Sequence, residues 1–204
     1  NVVLYPNYGN DSRLISIVGS TGRGYYFEDL DEDGIFDGAI LENSSISKDL
    51  NNNYIWTRND GTIYTFDQTS GQLLSITDKL GNIQTFSYNT NNLLETVTDQ
   101  ATSRTLTFHY NANNKIDHIS GPVTSAVSDG VWVTYTYDTN NNLTEVQYAD
   151  DGNGSSASGF EYVYEDTNDP NNMTGKIDLE GHLLSTWAYN GNDQAIDVGI
   201  TSKN

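Results

Sequence analysis

The sequence predicts an all-β protein built from antiparallel β-hairpins in tandem, and three observations carry that prediction. Aromatic residues recur as i, i+2 pairs at intervals of 22 to 27 residues. A polar turn rich in Asn and Asp follows nearly every pair. An aliphatic residue comes six or seven positions beyond the second aromatic, and another three later.

The pairs are Tyr64/Phe66, Phe86/Tyr88, Phe108/Tyr110, Tyr135/Tyr137, Tyr162/Tyr164 and Trp187/Tyr189. Spacing i, i+2 places both rings of a pair on one face of a strand. Two strands of six to eight residues with their turns need roughly 20 residues, so each interval is about one hairpin. The turns are Asn89-Thr90-Asn91-Asn92, Asn111-Ala112-Asn113-Asn114 and Asp138-Thr139-Asn140-Asn141-Asn142. Asn and Asp bond their own main chain and tolerate left-handed backbone, which closes tight turns. The aliphatic pairs are Leu73/Ile76, Leu94/Val97, Ile116/Ile119 and Leu143/Val146. At i, i+3 such residues point to opposite faces of a regular strand. Either both faces are covered or a bulge recurs at that place.

The unit reads Gly-Asn-x-x-x-Phe-x-Tyr-Asn-x-x-x-x-Leu-x-x-Val-x-Asp. It resembles the YD repeat of RHS, teneurin and insecticidal-toxin shell proteins, from Asp60 to about Asp197, with a degenerate copy at Arg13-Leu14-Ile15-Ser16-Ile17. The Tyr-Asp dipeptide itself stands only at Tyr137-Asp138; Asn follows Tyr88, Tyr110 and Tyr189, and Glu follows Tyr164. Asn keeps the turn role. Insertions at 150–159 and 166–173 are polar and are expected to project from the sheet. The resemblance implies hairpins added side by side into a curved or spirally wound sheet, here too short to enclose a large cavity. We read residues 1–58 as an N-terminal β segment and 59–204 as the YD-type repeats, together a piece of a larger protein whose neighbouring repeats are its partners.

Composition bounds the function. The 204 residues include 14 Tyr, 6 Phe and 3 Trp within only 35% hydrophobic content, so apolar area is concentrated in aromatics. Eighteen Gly against three Pro fits a turn-rich chain. A formal charge of −19 repels phosphate backbones, which argues against nucleic acid as a partner. It draws divalent cations and suits a secreted or cell-surface setting. There is no Cys, hence no disulfide or thiolate site. No apolar stretch reaches the length of a membrane span, so membrane insertion is not expected.

Residues 25–40 carry Asp29-x-Asp31-x-Asp33-Gly34-x-x-Asp37. Carboxylates at positions 1, 3, 5 and 9, with the Ile35 carbonyl at 7 and Gly34 at the sharp turn, are the oxygen set of a Ca²⁺ cage. The flanks read as strands, and Ile40 stands where an EF-hand needs Glu. The loop thus resembles the hairpin calcium loop of FG-GAP/VCBS repeats or a thrombospondin type 3 loop. We expect one structural Ca²⁺ on Asp29, Asp31, Asp33, Ile35 and Asp37.

Other constellations are weaker. Ile17-Val18-Gly19-Ser20-Thr21-Gly22-Arg23-Gly24 lacks the helix that a phosphate loop feeds. His109 and His118 can approach across one hairpin, a pairing that can bind metal or act as a base, but they read as surface imidazoles. Glu95, Glu145 and Glu161 lie at non-equivalent repeat positions, which leaves a glycosidase pair undefined. Trp56, Trp132 and Trp187 are candidates for stacking on sugar rings. The sequence therefore reads as a non-catalytic scaffold module of a secreted or surface RHS/YD protein. A carbohydrate-binding module is the alternative, and a polysaccharide-active enzyme a weaker one.

Overall fold

The computed structural model describes residues 2–6, 9, 11–19, 21–38, 44–150 and 158–200, with backbone alone at 197, 198 and 200. The chain divides into two compact units, 1–105 and 106–204. The first holds β1 (Val3–Pro6), β2 (Leu14–Val18), β3 (Gly24–Glu28), β4 (Phe36–Gly38), β5 (Ser45–Lys48), β6 (Tyr54–Thr57), β7 (Ile63–Phe66), β8 (Leu73–Thr77), β9 (Ile83–Tyr88) and β10 (Leu94–Asp99). The second holds β11 (Arg104–Tyr110, begun just before the boundary), β12 (Ile116–Ser120), β13 (Val131–Tyr137), β14 (Leu143–Tyr148), β15 (Gly159–Val163), β16 (Gly175–Asp178), β17 (Leu183–Tyr189) and β18 (Ala195–Ile200). Within each unit every strand pairs antiparallel with the next, and no α-helix occurs among the described residues. The all-β class and the tandem hairpins are as the sequence predicts.

The i, i+3 question resolves to a repeated bulge. Phe66 pairs with Leu73 and Thr65 with Ser75, leaving Leu74 as the extra residue. Glu95, Asp117, Thr144 and Ile196 are the extra residues at the equivalent place in later hairpins. One added residue reverses the alternation, so both aliphatics return to the aromatic face. Phe86 then opposes Val97 and Tyr88 opposes Leu94. Phe108 opposes Ile119, Tyr110 opposes Ile116, Tyr135 opposes Val146, and Tyr137 opposes Leu143. Aromatic–aliphatic pairs of this kind are the unit of sheet stabilisation.

The turns are also one design. Asn89 Oδ1 accepts the N–H groups of Asn91 and Leu93, while Asn92 sits at φ 60° and donates to the Asn89 carbonyl. Asn111 and Asp138 repeat this, with Asn114 and Asn141 at φ 58° and 66°. At the opposite hairpin ends Asp78 and Asp178 do the same, with Gly81 and Gly181 as the left-handed residues. The main chain uses one side-chain oxygen that either Asn or Asp supplies, which is why Tyr-Asn replaces Tyr-Asp without changing the turn. Hydrogen bonds from the Asn82 amide and backbone N–H hold the Asp78 carboxyl below its ordinary range.

In the first unit the meander rolls around a core of Leu4, Ile15, Ile17, Phe27, Phe36, Ile46, Tyr54, Trp56, Phe66 and Leu73. Trp56 on β6 meets Tyr64 on β7 at 5.0 Å and also Tyr25 on β3 at 5.2 Å, a contact that a flat sheet could not make. Where the roll returns on itself, Leu4 N–H donates to the Gly71 carbonyl at 3.2 Å. Gly71 has φ 68°, and a Cβ there would collide with the Leu4 carbonyl oxygen, so only Gly fits. The second unit is different. Among the described residues its buried apolar side chains are Val127 and Val146, and the aromatics of β11, β13, β15 and β17 are half-buried.

Hairpins are joined to one another by tyrosine hydroxyls. The second aromatic of a pair donates to the main-chain carbonyl at the opening of the preceding return strand. Tyr88 reaches Leu73 at 3.0 Å, Tyr137 reaches Ile116 at 2.9 Å and Tyr164 reaches Leu143 at 3.0 Å. Tyr189 reaches Met173, just ahead of β16, at 2.8 Å. Turn side chains add a second line of bonds, Asn113 to Asn141 and Asn142 to the Pro170 carbonyl. The latter ties down the 166–173 insertion, as does the Asn172 amide on Asp166 and Asp193. That segment lies on the surface but is bonded to its neighbours on both sides; most of the 150–159 insertion lies outside the described residues.

Burial raises the pKa of Tyr88, Tyr137 and Tyr164 above the ordinary tyrosine value of 10.0. Stability from the protonated phenols is therefore intact below that value and is lost as pH climbs through the raised folded values. Tyr137→Phe and Tyr164→Phe each strand a carbonyl and are expected to cost about 1 kcal/mol in denaturant titrations. A loss no larger than that of Tyr135→Phe, on the same strand as Tyr137, would contradict the strut assignment.

Candidate functional site

The aspartate loop joins β3 to β4. Asp29 follows β3 directly, and its backbone N–H donates to the Arg13 carbonyl at 3.0 Å. Only 9% of Asp29 is exposed. Its Oδ2 accepts the Gly34 N–H at 3.1 Å, whereas Oδ1 is buried without a hydrogen-bond partner. Asp33 Oδ1 accepts the Ile35 N–H at 2.8 Å. Glu32 and Gly34 take φ 59° and 85°, which folds the loop back on Asp29. Asp29, Asp31 and Asp33 each present a carboxylate oxygen, and the three lie within 4.8 Å of one another. Three of the expected ligands thus converge. Asp37 is not one of this group; it lies in β4, in register with Glu28 and Ser45. Ile35 stands at the loop's exit, 42% exposed.

A buried carboxylate oxygen with no partner costs free energy, on the order of 1–3 kcal/mol or more for a charged group. Three carboxylates around one point add mutual repulsion. A hard cation answers both costs, and oxygen donors at alternate residues around a glycine turn are the donor chemistry that Ca²⁺ takes. The residues fit that ion.

The three tryptophans separate. Trp56 is 3% exposed at the centre of the first unit's core and touches Tyr25, Phe27 and Tyr64. Its expected place on a ligand surface is corrected, because the roll of β2 to β8 closes over it. Trp132 is half-buried, and its indole N–H donates to the Pro122 carbonyl at 3.1 Å. It lines a pocket of ≈ 290 Å³ with Val127, Asp129, Thr134, Gln147 and Tyr148. Trp187 is half-buried on β17.

Other candidates take definite places. Gly19 and Gly22 close the β2–β3 turn, with Gly19 N–H on the Arg23 carbonyl and Gly22 N–H on the Gly19 carbonyl. Glu145 and Glu161 are direct cross-strand partners on β14 and β15, a juxtaposition that their repeat positions did not reveal. His109 and His118 are likewise direct partners, and their rings stack. Ser120 Oγ lies 2.8 Å from His109 Nε2, the first contact of a nucleophile–base pair. The nearby Asp117 carboxylate engages the other imidazole instead, at 2.7 Å.

Sequence reasoning missed the tyrosine struts. The available signal was that the second ring is Tyr in five of the six pairs, although Phe packs equally well.

No protein-family profile matches the chain, and no curated protein matches its sequence. Several solved structures resemble its backbone. A TcdB2-TccC3-Cdc42 chain is 13% identical with a TM-score of 0.46, covering 89% of this chain and 10% of that one. TcdB2-TccC3 without its hypervariable C-terminal region is 13% identical with a TM-score of 0.47, covering 90% and 10%. A Tc holotoxin pore of Photorhabdus luminescens is 11% identical with a TM-score of 0.45, covering 94% and 12%. The chain spans about a tenth of the length of these proteins, and at such identities the likeness is one of backbone alone.

Proposed function

We propose that the chain is a non-catalytic structural module of a larger secreted or cell-surface protein of the RHS/YD kind. Its hairpins build a curved wall by adding side by side. The observation that carries this reading is the strut: the tyrosine hydroxyl of one hairpin bonds the backbone of the hairpin before it, four times over. The recurring chemistry joins repeats to one another. The half-buried aromatic face of the second unit supports further repeats of the same protein as its covering partner, since large apolar area on a sheet face is stable when covered. No helix among the described residues is long and apolar enough to cross a membrane.

One structural Ca²⁺ completes the module, held by Asp29, Asp31 and Asp33 and rigidifying the β3–β4 connection. The buried, unpartnered Asp29 Oδ1 supports this. Calcium at a hundred times its Kd is expected to raise the melting temperature by about 5–10 °C. Chelator should reverse the shift and Asp31→Ala should abolish it. A melt indifferent to calcium and chelator would remove the metal from the account.

A second reading, glycan binding, is favoured by the pocket beside Trp132, where an indole and a phenol stand with Gln147 and Asp129. A glycan array separates the two. The scaffold reading expects no saturable binding, whereas binding lost in Trp132→Ala or Trp187→Ala would replace it with a carbohydrate-binding module. Turnover of a polysaccharide abolished by one carboxylate substitution would replace both with an enzyme.

A further inference from the structure

We propose that the β11–β12 hairpin binds a late first-row divalent ion, Cu²⁺ or Zn²⁺, through the imidazoles of His109 and His118. The site is separate from the oxygen-lined calcium loop in chemistry and in place, so it stands whether or not that loop holds calcium.

The geometry begins with register. His109 and His118 are direct cross-strand partners, one residue from the Asp117 bulge. Their rings lie parallel within 8°, with centroids 3.9 Å apart. Two nitrogens bound to one ion at about 2.0–2.1 Å stand roughly 3–4 Å from each other, close to the present spacing of the rings. Because the ion lies in the plane of each imidazole that holds it, binding turns both rings out of the stack until one nitrogen of each points at the shared ion.

The hydrogen bonds prepare the lone pairs. An ionised carboxylate only accepts, so the 2.7 Å contact with Asp117 places the His118 proton on Nδ1 and leaves the lone pair on Nε2. A carboxylate on the remote nitrogen is the arrangement that orients metal-binding imidazoles and raises their basicity. On His109, Ser120 Oγ can accept from Nε2 at 2.8 Å, which leaves the Nδ1 lone pair free. The His118 side chain is 33% exposed, open to an arriving ion. Thr134, opposite His118 on β13, adds no cation to this face. Imidazole ligands select copper and zinc over calcium and magnesium, and copper stands highest in that order. The net charge of −19 raises the local concentration of any divalent cation.

Bound ion would clamp the two strands across the bulge, with water in the remaining coordination positions. The test titrates the full chain with Zn²⁺ by calorimetry in saturating Ca²⁺, and with Cu²⁺ by electron paramagnetic resonance. One saturable site and nitrogen hyperfine structure from two imidazoles are expected. His109→Gln and His118→Asn should each abolish the two-nitrogen signal while circular dichroism stays unchanged. Asp117→Asn should weaken binding about tenfold, the usual cost of losing such a carboxylate. His182→Ala, at the exposed Asp178–Glu180–His182 cluster, should leave the site intact. Binding that survives in His109→Gln and His118→Asn, or that disappears in His182→Ala, overturns the proposal. So does the absence of saturable binding by either ion.

Discussion

One extra residue per hairpin governs the structure. A side chain on a regular strand alternates faces, so Leu94 and Val97 on one uninterrupted strand would point apart. Glu95 bulges out of the ladder, and both aliphatics meet Tyr88 and Phe86. The same step occurs at Leu74, Asp117, Thr144 and Ile196. Without it each hairpin would divide its apolar side chains between two faces and neither face would be dry. With it, every such hairpin presents one apolar face and one polar face, and the hairpins can be added in series. The bulge at Asp117 also sets the polar face, since it places an acid beside His118.

The two units express that constraint with different degrees of burial. Among the described residues, ten of the twelve buried apolar side chains belong to the first, where the sheet rolls tightly enough for β3 to meet β6 through Tyr25 and Trp56. The second depends more on bonds between hairpins, with Tyr137, Tyr164 and Tyr189 holding main-chain carbonyls and a row of turn amides alongside. A repeat array gains stability from neighbour interfaces as much as from each unit's own core. The half-buried aromatic face of the second unit is the face that further repeats would cover in the proposed module.

Much of this was legible in the sequence because hairpin signals are local. The i, i+2 rings, the Asn turns and the aliphatic returns each lie within a few residues, and their phase survives in single copies. The bulge was visible as an anomaly at Leu94 and Val97 but not decidable, since register depends on the partner strand. Trp56 was misplaced because its burial comes in part from Tyr25 and Phe27 on β3, far away in sequence. In the aspartate loop, spacing located Asp29, Asp31 and Asp33, and the fold distinguished them from Asp37, whose backbone belongs to β4. Pairing of Glu145 with Glu161 and of His109 with His118 followed from register, which insertions and bulges hide from a linear reading.

Deleting Glu95 tests the bulge more directly than any substitution. The residue is exposed, and Glu95→Ala is expected to change stability by less than about 0.5 kcal/mol. Its deletion keeps every apolar residue but restores alternation, turning either Leu94 or Val97 away from the aromatic face. Chemical denaturation of the two variants should then differ by at least about 2 kcal/mol, close to the transfer energy of one large aliphatic side chain. Equal stability of the deletion and Glu95→Ala would contradict the claim that the extra residue sets the face of the hairpin.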